Sequence, residues 1–181
     1  MPYHMYPPRS FASISIAQEA DQPLIWMQPN PFHSMDELRC GGRVIASLRY
    51  EGLFGTRATG DSERGRWTLE RHGLRHPRLT VFATGAESAI GNVELSRPLG
   101  SCEAPVHLFS GGAFRWVQID PLHCALMASG GAEVLRFARP HIPYPWITRT
   151  GGEVQMEIAS AAYALEALPL LALLGRYLMY P

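Results

Sequence analysis

The sequence predicts a mostly β fold: a closed antiparallel barrel of short strands around an apolar C-terminal helix. Three observations predict it. Short apolar runs punctuated by Gly, Pro, Asn and Asp recur from Leu24 to Ile158, at the spacing of an all-β sandwich or barrel. Between them no run of roughly 10–15 residues shows the helical periodicity that a parallel α/β fold requires. The tail from Leu170 to Tyr180 is apolar almost all round, so a helix there must be enclosed by apolar material. A sheet that curls around that helix satisfies all three.

Taken in order, residues 1–22 read as a loose arm, in which Ser13, Ile14, Ser15 and Ile16 alternate and allow one short strand. Residues 23–181 read as a single domain. Its first strand is Leu24–Met27, closed by Pro29-Asn30-Pro31. Arg43–Tyr50 follows the Gly41-Gly42 turn, and Leu53–Thr59 is ended by Gly60-Asp61. Gly65–Arg71 alternates with period 2, placing Trp67 and Leu69 on one face and Arg66, Thr68 and Glu70 on the other, the pattern of a half-buried strand. Leu79–Ala83, Ala89–Leu95, Val106–Phe109, Phe114–Ile119, Cys124–Ala128, Val134–Phe137 and Val154–Ile158 complete ten or eleven strands. Gly73, Pro77, Gly85, Pro98, Gly111-Gly112, Pro121 and Gly130-Gly131 punctuate the gaps.

Ala159–Leu168 is rich in Ala and Leu and favours helix. Pro169 suits the first turn of a second helix over residues 169–180. That helix is too short for a membrane span, which needs about 20 apolar residues. The uncharged stretch Ala167–Gly175 is bounded by Glu166 and Arg176, and either charge in hydrocarbon would cost about 2.5–3.5 kcal/mol. Burial inside the domain is the better destination, with Gly175 allowing a close approach of strand backbone.

Composition narrows the function classes. The 181 residues carry 16 basic and 16 acidic side chains, so the net charge is zero. A nucleic-acid binder normally holds a surplus of positive charge, and none is expected to bind here. Every basic residue is Arg. Arg makes forked contacts to phosphate and carboxylate, although a GC-rich coding bias gives the same composition. Cys40, Cys102 and Cys124 form an odd set without repeated spacing, against a disulfide framework or a paired-Cys zinc site. With no basic and then apolar leader at the N-terminus, a cytoplasmic protein is expected, peripheral to a membrane at most.

The segments Val44–Arg49, Arg57–Gly60, Gly65–Gly73, Pro77–Val81 and the closing Leu168–Leu178 resemble the tubby-like superfamily. That superfamily comprises tubby C-terminal domains, phospholipid scramblases and plant LURP-one-related proteins, and this chain is similar to its small bacterial members over about residues 24–180. The resemblance implies a closed twelve-stranded barrel threaded by its C-terminal helix. It does not transfer ligand residues. Arg176 stands where relatives often place Trp before the tail Tyr, there is no Asp-rich loop to hold calcium, and there is no Lys to share a phosphoinositide with Arg.

One charge cluster lies in the matching region. Residues 57–78 hold six arginines against three carboxylates. Arg57, Arg64, Arg66, Arg71 and Arg75 are the candidate anion-binding residues, because several guanidinium groups on neighbouring hairpin tips could converge on a phosphate or headgroup. Scattered ion pairs on a solvated rim are the competing account. His72 and His76 flank a Gly-Pro turn, and His123 and Cys124 would point to opposite faces of a strand, so no metal or other cofactor is expected. Cys102 and Cys124 lack the flanks of a catalytic elbow, and the glycine pairs lack a strand-to-helix phosphate loop. The function expected is a non-catalytic binding or interaction module for an anionic lipid headgroup or a protein partner. The alternative is a membrane-associated, scramblase-like lipid-handling protein with its C-terminal helix in the bilayer.

Overall fold

The computed structural model describes residues 22–30, 34–51, 56–73, 77–95, 103–110, 112–140 and 152–179. The strand expected at Ile14–Ile16 lies outside them, as does nearly all of the N-terminal arm. Twelve strands follow one another along the chain: β1 (Leu24–Met27), β2 (Met35–Cys40), β3 (Arg43–Glu51), β4 (Arg57–Ser62), β5 (Gly65–His72) and β6 (Arg78–Ala83). The second half consists of β7 (Ala89–Glu94), β8 (Glu103–Leu108), β9 (Gly112–Gln118), β10 (His123–Ala128), β11 (Glu133–Ala138) and β12 (Val154–Ile158). One 3-10 turn (Ser160–Ala164) then leads to helix α1 (Leu168–Leu178).

Each strand pairs antiparallel with its neighbour in sequence, and β12 returns to β1 through Leu24↔Met156 and Trp26↔Val154. The barrel is closed. Closure removes both sheet edges, which would otherwise offer unpaired backbone groups to other chains. Short strands with alternating faces suffice because each is hydrogen-bonded on two sides. Inward positions such as Leu48, Leu69, Val81, Val106 and Phe137 are fully buried, while their strand neighbours face outward.

Helix α1 fills the bore. Every residue from Leu168 to Tyr177 is buried, each enclosed Leu contributing about 1.5–3 kcal/mol. The helix packs most closely on β3, β4, β10 and β11. Pro169 sits in its first turn, where no backbone donor is lost. The preceding Ala-rich segment forms only the 3-10 turn, with extended residues at Ala159 and Leu165 on either side. A segment that short gains too few hydrogen bonds to offset helix nucleation.

Four sequence expectations shift. β2 was not foreseen, because Asp36, Glu37 and Arg39 interrupt its apolar pattern. β4 begins at Arg57 and runs through Gly60 and Asp61, which read as a terminator from the sequence. Gly60 faces the helix, and a Cβ there would lie 2.8 Å from Leu173 Cδ1, so this glycine makes room for a leucine and does not end the strand. At Gly175 the close neighbour is the Phe137 ring, not strand backbone, with a Cβ falling 2.5 Å from Phe137 Cε2. β8 starts three residues earlier than expected and includes Pro105, which pairs with Arg115 of β9 but lies beyond Val106, the last residue paired with β7.

Candidate functional site

The chain leaves β12 at one mouth of the barrel, and α1 runs through to the other. At that far mouth Arg139, just past β11, donates from Nη2 to the carbonyl oxygen of Met179. A cation on a helix's last carbonyls offsets the negative end of its dipole. The far mouth is also where β2 and β5 contribute their Asp36 and Arg71 ends and β3 its Tyr50 end.

A polar cluster closes this mouth. Asp36 shares the inward face of β2 with Leu38 and is 3% exposed. Its Oδ2 accepts from Arg176 Nε at 2.7 Å and from Tyr50 Oη at 2.8 Å. The Tyr50 ring stacks on Tyr177, centroids 6.2 Å apart and planes at 21°. Arg176 is 4% exposed, and its charge is tolerable there only because Asp36 neutralises it. Two buried donors have no acceptor among the described residues: Arg176 Nη2, on the guanidinium bound to Asp36, and Trp26 Nε1. Trp26 pairs with Leu38, two residues along the same face from Asp36. Burial raises the Tyr177 hydroxyl above its ordinary pKa, and the charge of Arg71 pulls it partly back. Tyr177 is therefore a neutral hydroxyl at physiological pH.

The four described arginines of the five picked from the sequence do not come together. Arg57 is on the outer face near the far mouth, 3.4 Å from Glu70 and 3.7 Å from Glu51. Arg66 pairs with Asp61 on the outer face near the opposite mouth, next to the turn that carries Arg64. Four residue steps along β4, from Arg57 to Asp61, separate the two groups, roughly 13 Å. Arg71 differs from both. It shares the inward face of β5 with Trp67 and Leu69, half-buried at the far mouth, with no carboxylate in salt-bridge range among the described residues. Arg75 lies outside the described residues, as do His76 and Cys102.

Other candidate chemistry resolves into structure. His123 packs outward against Asp120, Nδ1 to Oδ2 2.7 Å, and Asp120 Oδ1 also accepts from the backbone N–H of Leu122 and His123. Those bonds, the Leu122 one foremost, hold the Asp120 carboxyl below its usual range and staple the β9–β10 turn. Cys124 points inward, 8% exposed, and burial raises its thiol pKa, opposite to what a nucleophile needs. Among the described residues no three His, Cys, Asp or Glu side chains gather as a metal would require. The sequence reading missed Trp26, Asp36, Tyr50, Arg139 and Tyr177. The alternation of Asp36, Leu38 and Cys40 was the one available signal, a carboxylate in phase with two core residues.

The X-ray structure of a protein from Arabidopsis thaliana is similar to this one over 85% of this chain and 91% of that chain, with a TM-score of 0.51 and 16% sequence identity. At that identity the likeness concerns the barrel fold. No protein-family model matches the chain, and no curated protein does.

Proposed function

We propose that the chain is a small tubby-like barrel that acts as a non-catalytic binding module and takes an anionic group, such as a lipid headgroup, at its surface. The observation that carries this reading is the occupied bore. With Leu168–Tyr177 buried inside the strands, a ligand is met at a mouth or on the outer wall. On the wall, Arg57, Arg66, Arg78, Arg115 and Arg136 already face carboxylates. Arg71 at the far mouth faces none among the described residues, nor does the exposed Arg49 on β3, and Arg71 is the one of the two on the inward face at a mouth.

The scramblase-like alternative has less support. It requires α1 to leave the barrel, emptying the core of its leucines, and no helix among the described residues is long and apolar enough to cross a membrane. Vesicle flotation tests the proposal. Binding to phosphatidylserine-containing vesicles at low salt, weakening as salt rises, and no binding to phosphatidylcholine alone is the expected result. An absence of flotation at low salt would eliminate the headgroup as ligand and leave a protein partner as the object of the search.

A further inference from the structure

We propose that the far mouth of the barrel is a phosphate site, in which Arg71 and the Nη2 amino group of Arg176 take oxygens of one phosphate monoester. The proposal rests on the binding-module reading and gives it a place and a ligand chemistry.

Charge is the first argument. Among the described residues, the charged side chains on the inward side of this mouth are Arg71, Arg139 and Arg176 against the single inward carboxylate of Asp36, while Glu51 and Glu70 stand on the outer face with Arg57. The excess of two positive charges, reduced somewhat by the negative end of α1, matches the −1.5 to −2 or so of a phosphate monoester better than a carboxylate. Arg139 is already spent on the Met179 carbonyl oxygen, which blunts the repulsion that a helix C-terminus would exert on an anion. Arg71 is free to make a forked, charge-assisted contact.

Hydrogen bonding is the second argument. A buried donor without an acceptor is costly and rare, yet Arg176 Nη2 is closed to solvent and unmatched while Nε of the same guanidinium is fully used by Asp36. Asp36, itself anchored by the Tyr50 hydroxyl, holds that guanidinium in place, and Tyr177, next to Arg176 on the helix and stacked on Tyr50, feels the charge of Arg71. A phosphate oxygen supplies the acceptor that Nη2 lacks, after a side-chain rotation at the mouth admits it. Ligand contact to Arg176 then ties α1 to β5, so binding should strengthen the seating of the helix.

The test uses the full chain, with inorganic phosphate and glycerol phosphate as free ligands and phosphatidic acid in phosphatidylcholine vesicles as the lipid source. Titration calorimetry and thermal melts are expected to show binding and a higher Tm with the free ligands. Arg71→Gln should weaken binding about tenfold or more, as loss of a hydrogen bond to a charged group does. Arg176→Lys, which keeps a cation for Asp36 but removes Nη2, should weaken it as well. Arg57→Gln and Arg66→Gln, on the outer wall, should bind like the parent. Equal phosphate affinity in Arg71→Gln or in Arg176→Lys overturns the site, as does no phosphate binding by the parent at low salt. If vesicles bind parent and Arg71→Gln alike, the mouth site is wrong and the lipid-binding module stands. If free phosphate binds through Arg71 but vesicles do not, the site stands and the lipid source falls.

Discussion

Replacing Gly175 with Ala sets two effects of opposite sign against each other. In an exposed helix the change would stabilise by about 0.8–1.0 kcal/mol, because glycine is the poorer helix former. Here the new methyl would lie 2.5 Å from Phe137 Cε2, far inside van der Waals contact. Phe137 is fully buried, and its ring is held against Trp116 with centroids 5.6 Å apart, so it has little room to retreat. Overpacking of that kind costs about 1–3 kcal/mol, and an overlap this deep belongs in the upper part of the range. The net expectation is a loss of about 1–2 kcal/mol, or a Tm lower by about 2–8 °C for a chain of this size. Calorimetric melts of Gly175→Ala, Phe137→Leu and the double variant form a cycle. The alanine should be far less harmful once the Phe137→Leu change has removed the ring, giving a coupling of about 1 kcal/mol or more. A Gly175→Ala protein that melts higher than the parent would refute the tight helix–ring contact.

Three further outcomes follow from the packing and the charges. Leu174→Ala should cost about 2–5 kcal/mol by denaturant titration, and removal of residues 169–181 should leave an insoluble protein; a soluble, cooperatively folded truncation would contradict the enclosed helix. Asp36→Ala leaves Arg176 buried and unpaired and should cost about 3–5 kcal/mol, whereas Arg66→Ala on the outer wall should stay within about 0.5 kcal/mol; similar losses in both would deny the buried pair its structural role. Cys124 and Tyr177 have pKa values raised by burial, so the fold favours their neutral forms. That contribution is complete below the ordinary thiol and phenol values near about 8.5 and 10 and is lost as pH rises through the folded values. Urea midpoints should therefore fall on the alkaline side, with Cys124→Ala removing the earlier part of the fall; a midpoint unchanged up to about pH 11 would count against both burials.

Much of the architecture was legible because it rests on local periodicity. Alternation at Trp67 and Leu69, the glycine and proline punctuation, and a tail apolar on all sides each constrain a strand or helix without reference to distant residues. Enclosure of that tail followed from solvation and length together, since a helix lacking a polar face suits only a bilayer or a protein interior and this one is too short to span. The charged strand Met35–Cys40 was illegible for the complementary reason. Asp36 is stable on an inward face only because Arg176, 140 residues later, and Tyr50 bring donors to it, and no local pattern encodes a partner that far away. Gly60 likewise read as a turn until Leu173 was seen to occupy the space of its missing side chain. The arginine cluster shows the same division. Its sequence density was plain, but two-residue alternation and the length of one hairpin decide which guanidinium faces where. They send Arg57 and Arg66 outward to carboxylates at opposite ends of the wall, and Arg71 onto the inward face at the mouth.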